Sequence, residues 1–308
     1  MTYECIALTK TDLAEKIATA LEHELHVARY RQFADGEVNV SLERPELFAG
    51  KTAVILQSTG APVNEHTLGV AFLAQELKNA GAERIIAVVP YLGYARQGHS
   101  AIKRKPGNAA VIAKLFESSG IDELIVVDLH DENVVNFFSI PVYNLKAQKI
   151  IADQIKKELP SLSNTCLIAP DKGAAEYVQQ VADMVKVGTL TFSKERFAVD
   201  QTRVLGHEGS CSGTTGIMLD DIIATGGTAV NVCNALPAMG YQTIYGYFVH
   251  PVLAGPAIER IEKSAFSKIF VSNTLSLSKA AMVPKIAVFD VSAILVDKIN
   301  QLLMDTVS

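Results

Sequence analysis

The chain has 308 residues, with 28 basic and 33 acidic side chains and a formal net charge of −5. This slightly acidic balance argues against a general nucleic-acid binder, because affinity for the phosphate backbone needs a basic surface. A hydrophobic content of 49% excludes a disordered chain, and no apolar run approaches the ~18–20 residues that cross a bilayer. Length predicts about two domains. The cysteines stand alone, without the paired spacing of a zinc site or a disulfide framework, which favours the cytoplasm: Cys5, Cys166, Cys211 and Cys233.

Short apolar runs alternate with helical segments along the chain. The first helix is predicted at a capping box, Asp12 to Glu15, which apolar residues follow at four-residue spacing. Apolar runs of buried-strand type lie at 52–57, 84–90, 124–129, 166–169, 216–219, 243–249 and 268–271. Helical segments separate them at 65–80, 109–118, 147–159, 174–184 and 228–236. This alternation predicts an α/β fold whose parallel sheets are flanked by helices.

Two halves of the chain repeat one pattern. Residues 119–128 match residues 264–273 in polarity, and 79–81 before one strand resemble 238–240 before another. The pattern leaves two explanations equally open: duplication of one α/β unit, or the general similarity of any two such units. We place the boundary near Asn144, which gives domains over 1–144 and 145–308. The last helix can then pack back on the N-terminal domain.

The most specific segment is 216–228. An apolar strand brings Asp220 and Asp221 to its carboxyl end, where ligands bind in open α/β sheets. A turn before a helix follows, with glycines that let backbone N–H groups approach a phosphate and with hydroxyl donors: Thr225, Gly226, Gly227 and Thr228. We predict a sugar phosphate here, with its phosphate on the turn and its vicinal hydroxyls on the acidic pair. An acidic pair that only caps a helix explains less of this succession.

This segment resembles the phosphoribosyl pyrophosphate loop of type I phosphoribosyltransferase-fold proteins. Further stretches resemble one branch, the ribose-phosphate pyrophosphokinases, in order and spacing: 33–37, 57–58, 90–97, 127–130, 170–173, 194–196 and 250–251. The resemblance implies two pseudo-symmetric phosphoribosyltransferase-like domains. It also implies transfer of the pyrophosphoryl group of ATP to the C1 hydroxyl of ribose 5-phosphate, which gives phosphoribosyl pyrophosphate and AMP.

The resemblance assigns catalytic and metal-binding roles to five residues. Lys194 and Arg196 are expected to clamp the transferred group from a mobile loop, because phosphoryl transfer depends on positioning and charge stabilisation. One residue apart on an extended segment, they share a face. His130 is expected to bind the ATP phosphates or their Mg²⁺, with support from Asp128, and Asp171 to hold Mg²⁺ at the pyrophosphate. From its position alone, Asp171 is equally a helix N-cap.

The resemblance also implies six ATP contacts: Phe33, Asp35, Glu37, Arg96, Gln97 and Arg104. The first three are the adenine-contacting group, which in the family reaches the site of a neighbouring subunit. We therefore expect a homo-oligomer, a dimer or a hexamer, with a shared ATP site and with neither nucleic acid nor membrane as a partner. Arg104 lies in a basic loop, 98–107. Without the resemblance, Phe33 would be assigned to the core.

Departures from the family pattern affect regulation and oligomeric state more than the reaction. Ala224 stands where many relatives have Asp or Ser, and Gly98 and Gly107 replace more usual residues. Two other functions are weighed. A transferase that consumes phosphoribosyl pyrophosphate would explain the loop but not residues 194–196. A non-catalytic, synthetase-like regulatory subunit should have lost the catalytic charges, which this chain retains.

Overall fold

The computed structural model describes residues 2–98, 107–198, 201–209 and 211–305, with the backbone alone over 194–198 and 201–205. The chain forms two compact units. The first contains Met1–Leu145, Thr274–Ser276 and Val291–Ser308, and the second contains Lys146–Asn273 and Leu277–Asp290. The last helix therefore belongs to the first unit. Within the described ranges, no helix is long and apolar enough to cross a membrane.

The first unit is built on a six-stranded parallel sheet and a separate antiparallel hairpin. Its strands, in chain order, are β1 Tyr3–Ala7, β2 Leu25–Val27, β3 Arg29–Gln32, β4 Val38–Ser41, β5 Thr52–Leu56, β6 Arg84–Val88, β7 Glu123–Val127 and β8 Val142–Leu145. The sheet has the order β2-β1-β5-β6-β7-β8, and β3 pairs with β4 as the hairpin. The apolar runs form its fully buried centre: every residue of β5 and β7 is buried.

The second unit contains a seven-stranded sheet. Its strands are β9 Thr165–Ala169, β10 Gly188–Ala198, β11 Gln201–Glu208, β12 Thr215–Ile223, β13 Thr243–Pro251, β14 Lys268–Ser272 and β15 Ile286–Phe289. They are arranged β11-β10-β9-β12-β13-β14-β15, with β11 antiparallel to β10 and the rest parallel. From β10 to β15 this order repeats that of the first sheet, strand for strand. The shared order favours duplication over chance similarity.

Helices connect the parallel strands, and the predicted α/β class with helix-flanked parallel sheets is confirmed. They are α1 Asp12–Ala20, α2 Val63–Asn79, α3 Ala109–Ser118, α4 Gln148–Glu158, α5 Ala175–Val185, α6 Gly227–Ala235, α7 Ala257–Lys263 and α8 Ser292–Met304. The N-cap of α1 is Thr11 rather than the predicted Asp12. Thr11, in extended conformation, caps α1 by accepting the Ala14 N–H at 3.2 Å. Asp12 instead lies in the first turn, where a negative charge suits the positive end of the helix.

The cysteines also differ from expectation. Cys166 and Cys211 form a disulfide, with their Cα atoms 5.8 Å apart, so the prediction that all four stand alone is wrong for this pair. Sequence spacing conceals the pairing because the fold, rather than the chain, brings β9 beside the segment that enters β12. Cys5 and Cys233 are free and buried. Burial raises the pKa of each thiol to about 12.

Candidate functional site

The carboxyl edge of the second sheet is where the acidic residues meet. β9 lies between β10 and β12, so the chain leaves β9 to one side and later returns on the other. Such a reversal of strand order opens a crevice at the carboxyl ends of the strands, which is where open α/β sheets bind ligands. Asp171 follows β9, and Asp220 and Asp221 lie near the end of β12.

These carboxylates repel one another. The pKa of Asp220 is raised well above its ordinary value, first by burial and then by the negative charges of Asp221 and Asp171. The Asp221 N–H donates to Asp220 Oδ1 at 3.0 Å. Asp171 caps a short 3-10 helix, since its Oδ1 accepts the N–H of Gly173 at 2.8 Å and that of Ala174 at 3.3 Å. The site therefore favours hydroxyl donors or a cation that relieves this repulsion.

The turn after the acidic pair ends at the N-terminus of a helix. Gly226 has φ 73°, a left-handed conformation that favours glycine, and α6 begins at Gly227. No side chain caps this helix end, although the Val230 N–H makes the first helical bond to the Gly226 carbonyl at 2.9 Å. Thr225 immediately precedes Gly226, and Thr228 lies in the first turn of α6. The uncapped N–H groups and the helix dipole make this turn an anion site by chemistry.

The equivalent turn of the first unit, between β5 and α2, is closed by its own side chains. Ser58 donates its hydroxyl to the Thr274 carbonyl at 2.6 Å. Thr59 is fully buried, and its hydroxyl accepts the Gly93 N–H at 2.7 Å. The Leu275 side chain packs on Gly60 and would have to move to admit a Cβ there. The turn in the first unit therefore has its hydroxyls bonded within the protein, and the equivalent turn in the second unit leads into a helix N-terminus that no side chain caps.

Asp128 and His130 follow β7 in the first unit. Asp128 is buried and has φ 38°, which is uncommon for a residue with a side chain. Hydrogen bonds hold this turn, because the Asp128 N–H donates to the Leu145 carbonyl at 2.9 Å and the Leu129 N–H to Asn144 Oδ1 at 3.0 Å. His130 is exposed at its end. An enforced left-handed residue beside an exposed histidine is typical of a functional turn.

Arg96 and Gln97 are exposed on a 3-10 helix, Ala95–Gln97. Gln97 accepts a hydrogen bond from the Asn108 side-chain amide at 2.7 Å. This bond joins the two ends of the segment 99–106. Arg104 falls within that segment and so lies outside the described residues.

Phe33, Asp35 and Glu37 lie in the turn of the β3–β4 hairpin. The Phe33 side chain is 43% exposed, with the Arg31 guanidinium 5.0 Å from its ring centroid. The assignment of Phe33 to the core, made without the resemblance, is therefore wrong. The turn is ordered, since Asp35 Oδ1 accepts the Glu37 N–H at 3.2 Å and the Phe33 N–H donates to the Glu37 carbonyl at 2.7 Å. It presents a ring and two acids to the surroundings.

Lys194 and Arg196 lie on β10, where the backbone pairs them with Val204 and Thr202 of β11. Both are therefore on an extended strand, two positions apart, as the sequence predicts; their side chains lie outside the described residues. Sequence analysis missed the hairpin itself. Its signal was the alternation of polar and apolar residues over 189–192.

Comparisons with known proteins match nearly the whole chain. Residues 6–120 match the N-terminal domain of ribose phosphate pyrophosphokinase, and residues 193–306 match the phosphoribosyl synthetase-associated domain. Ribose-phosphate pyrophosphokinase 1 of Streptococcus pneumoniae is 36% identical over 94% of this chain and 89% of its own. The enzyme of Bacillus caldolyticus is 35% identical over 94% and 90%. This chain belongs to the ribose-phosphate pyrophosphokinase family.

A solved structure carries the same fold. The crystal structure of phosphoribosylpyrophosphate synthetase from Mycobacterium smegmatis matches with a TM-score of 0.89 and 29% sequence identity, over 99% of this chain and 100% of that one. The two phosphoribosyltransferase-like halves expected of a pyrophosphokinase are thereby confirmed. One departure from the family pattern also has a structural reason. A Cβ at Gly98 would overlap the carboxylate of Asp131, so the Asp131 side chain would have to move to admit any other residue there.

The raised pKa of Asp220 predicts how the ligand-free enzyme responds to pH. A carboxyl whose pKa is higher in the folded than in the unfolded state destabilises the fold as the pH rises through the interval between the two values, and does so fully above it. Asp220→Asn should therefore raise the melting temperature by a few degrees at pH 8. This gain should shrink as the pH is lowered toward the ordinary aspartate pKa of about 3.9. Scanning calorimetry at several pH values measures both effects.

The matched control is Asp153→Asn. Asp153 is exposed, and its pKa is lowered by the hydrogen bond from Lys149, so this variant should gain no stability at pH 8. A melting temperature of Asp220→Asn below that of the parent at pH 8 would contradict the assigned repulsion.

Proposed function

We propose that this chain transfers the pyrophosphoryl group of ATP to the C1 hydroxyl of ribose 5-phosphate, with the sugar phosphate held at the carboxyl end of β12. The product is phosphoribosyl pyrophosphate, a precursor for nucleotide biosynthesis, and AMP is released. One observation carries the residue assignment: the repelling pair Asp220 and Asp221 is followed at once by a turn that ends in the uncapped N-terminus of α6. Sugar hydroxyls are suited to the acidic pair, and a phosphate is suited to the uncapped helix N-terminus that follows it.

The ribose 5-phosphate contacts follow from the chemistry of each group. Asp220 and Asp221 accept hydrogen bonds from the vicinal ring hydroxyls. These donors stabilise two carboxylates that repel each other. The 5-phosphate lies on the backbone N–H groups at Gly226 and Gly227, with the hydroxyls of Thr225 and Thr228 as further donors. The C1 hydroxyl is then oriented by both ends of the sugar.

Lys194 and Arg196 stabilise the transfer. A bond forms between the C1 oxygen and the β-phosphorus of ATP, and the hydroxyl proton leaves to solvent. The bond from the α–β bridging oxygen to that phosphorus breaks, and AMP departs with this oxygen. Negative charge accumulates on the transferred group, so cationic donors from the β10–β11 hairpin lower the barrier most when they act in the transition state. The antiparallel pairing of Lys194 and Arg196 with β11 supports this role because it holds them on one strand.

ATP also requires a divalent cation, which we propose is Mg²⁺. In the described part of the chain, no group of three or more His, Cys, Asp and Glu side chains can hold a metal ion by itself. Mg²⁺ commonly uses one or two carboxylates with substrate phosphates and water, and the negative field that raises the pKa of Asp220 fits such an ion. Asp171 is proposed as a carboxylate ligand of such an ion in the second unit. Asp128 and His130 are proposed, separately, as ligands in the first. The ion supplies charge neutralisation at the ATP phosphates.

The adenine contacts are proposed to come from another subunit of a homo-oligomer, a dimer or a hexamer. Phe33 supports this because its aromatic ring is exposed on an ordered hairpin turn, next to Asp35 and Glu37. A base can stack on the ring, and the acids can accept from the adenine amino group. Arg96, Gln97 and Arg104 are proposed to bind the same nucleotide. Both substrates are phosphorylated metabolites, which supports a cytoplasmic location.

Removal of either cationic side chain of the clamp should reduce turnover more than substrate binding. Lys194→Ala and Arg196→Ala should each lower kcat by ~10²–10³-fold, the typical effect of losing one transition-state donor, with little change in either KM. The assay mixes ribose 5-phosphate with MgATP and measures AMP. Glu195→Gln, between the two, is the matched control and should retain turnover. Near-parental kcat in both alanine variants would refute the clamp.

Subunit mixing tests the shared ATP site. Phe33→Ala should weaken ATP and leave ribose 5-phosphate nearly unaffected, because base stacking on an aromatic ring is worth about 1–3 kcal/mol. Mixed oligomers of Phe33→Ala and Lys194→Ala subunits should regain part of the activity, since some sites combine an intact hairpin with an intact clamp. Mass spectrometry verifies the mixing. No recovery in verified mixed oligomers would place all contacts of one site within a single chain.

A further inference from the structure

The turn that follows the acidic pair, residues 223–226, is held through its backbone carbonyls. The Leu253 N–H donates to the Ile223 carbonyl and the Ala254 N–H to the Ala224 carbonyl, each at 3.0 Å. Arg260 of α7 continues this pattern through its guanidinium, which donates to the Thr225 carbonyl at 3.0 Å. Together with the bond from α6 to the Gly226 carbonyl, four consecutive carbonyls accept hydrogen bonds. We call residues 253–260 the carbonyl strap.

Anchored carbonyls determine where the N–H groups point. In a trans peptide the C=O and the following N–H are antiparallel, so each carbonyl held by the strap turns the next N–H to the opposite side. The N–H groups of residues 224–226 therefore face away from the strap. Across the described residues, none of these three donates to another protein group. Consecutive N–H groups turned to one side form an anion-binding concavity.

We propose that Arg260 is a positioning residue for ribose 5-phosphate: its guanidinium fixes the Thr225–Gly226 peptide so that the Gly226 N–H faces the 5-phosphate. This rests on the phosphate assignment made above and adds a residue that its motif does not contain. Leu253 and Ala254 hold their carbonyls through the backbone, which any residue supplies. The Thr225 carbonyl alone accepts its hydrogen bond from a side chain. Gly226, the next residue, is left-handed rather than extended, and no backbone N–H of the strap bonds to the Thr225 carbonyl. Arg260 reaches it from the next helix.

The test is calorimetric binding of ribose 5-phosphate and of ATP to the full-length enzyme. Arg260→Ala should raise the Kd for ribose 5-phosphate by about 10–100-fold, by analogy with the loss of a partner that orients a metal ligand. The Kd for ATP should change less than about twofold. Arg260→Lys keeps a donor and should recover part of the lost affinity. The fold-change should be the same at low and high KCl, because it arises from orientation rather than from the long-range charge that salt screens.

Lys263→Ala is the matched control, since Lys263 lies one turn further along α7 and forms an ion pair with exposed Glu259 at 2.6 Å. It should bind both ligands as the parent does. Thr228→Val separates this proposal from the assignment beneath it. If Thr228→Val weakens ribose 5-phosphate and Arg260→Ala does not, Arg260 has no positioning role. Equal loss of both ligands in Arg260→Ala also overturns the proposal, and unchanged binding in Thr228→Val overturns the phosphate assignment itself.

Discussion

The site depends on which backbone groups of one short turn are hydrogen-bonded within the protein. At the end of β12, the carbonyls of residues 223–226 are all satisfied within the protein, by the carbonyl strap and by α6. Their N–H partners are consequently left for a ligand. Under the proposed function, this division leaves backbone donors for the phosphate of the sugar that Asp220 and Asp221 are proposed to bind.

The two units share one arrangement of strands but differ in the turns before two equivalent helices. Both sheets have equivalent strands in the same order, and the turns after β7 and β14 are held by equivalent hydrogen bonds. The Asp128 N–H donates to Leu145 at 2.9 Å, and the Asn273 N–H donates to Phe289 at 3.1 Å. The turns before α2 and α6 differ instead. In the first, the hydroxyls of Ser58 and Thr59 donate to backbone carbonyls, whereas in the second no side chain caps the N-terminus of α6.

Sequence was informative where a local pattern dictates structure. The buried strands and their helices follow from apolar periodicity, and the segment from Asp220 to Thr228 follows from the chemistry of strand, acids, glycines and helix start. The features that it missed are set by distant partners. Cys211 forms a disulfide with Cys166, 45 residues away in sequence, because β9 and β12 lie side by side in the sheet. The contact of Arg260 with Thr225 has no motif, since the structure alone shows which carbonyl the guanidinium reaches.

The most direct test of the central claim follows the backbone amides of the turn by nuclear magnetic resonance. Ribose 5-phosphate is added to the isotope-labelled enzyme without ATP. The account predicts that the amide signals of residues 224–227 shift downfield and saturate with the Kd measured for the sugar phosphate, as expected when N–H groups donate to a phosphate. Ribose 5-phosphate binding that saturates while these amide signals stay in place would contradict it.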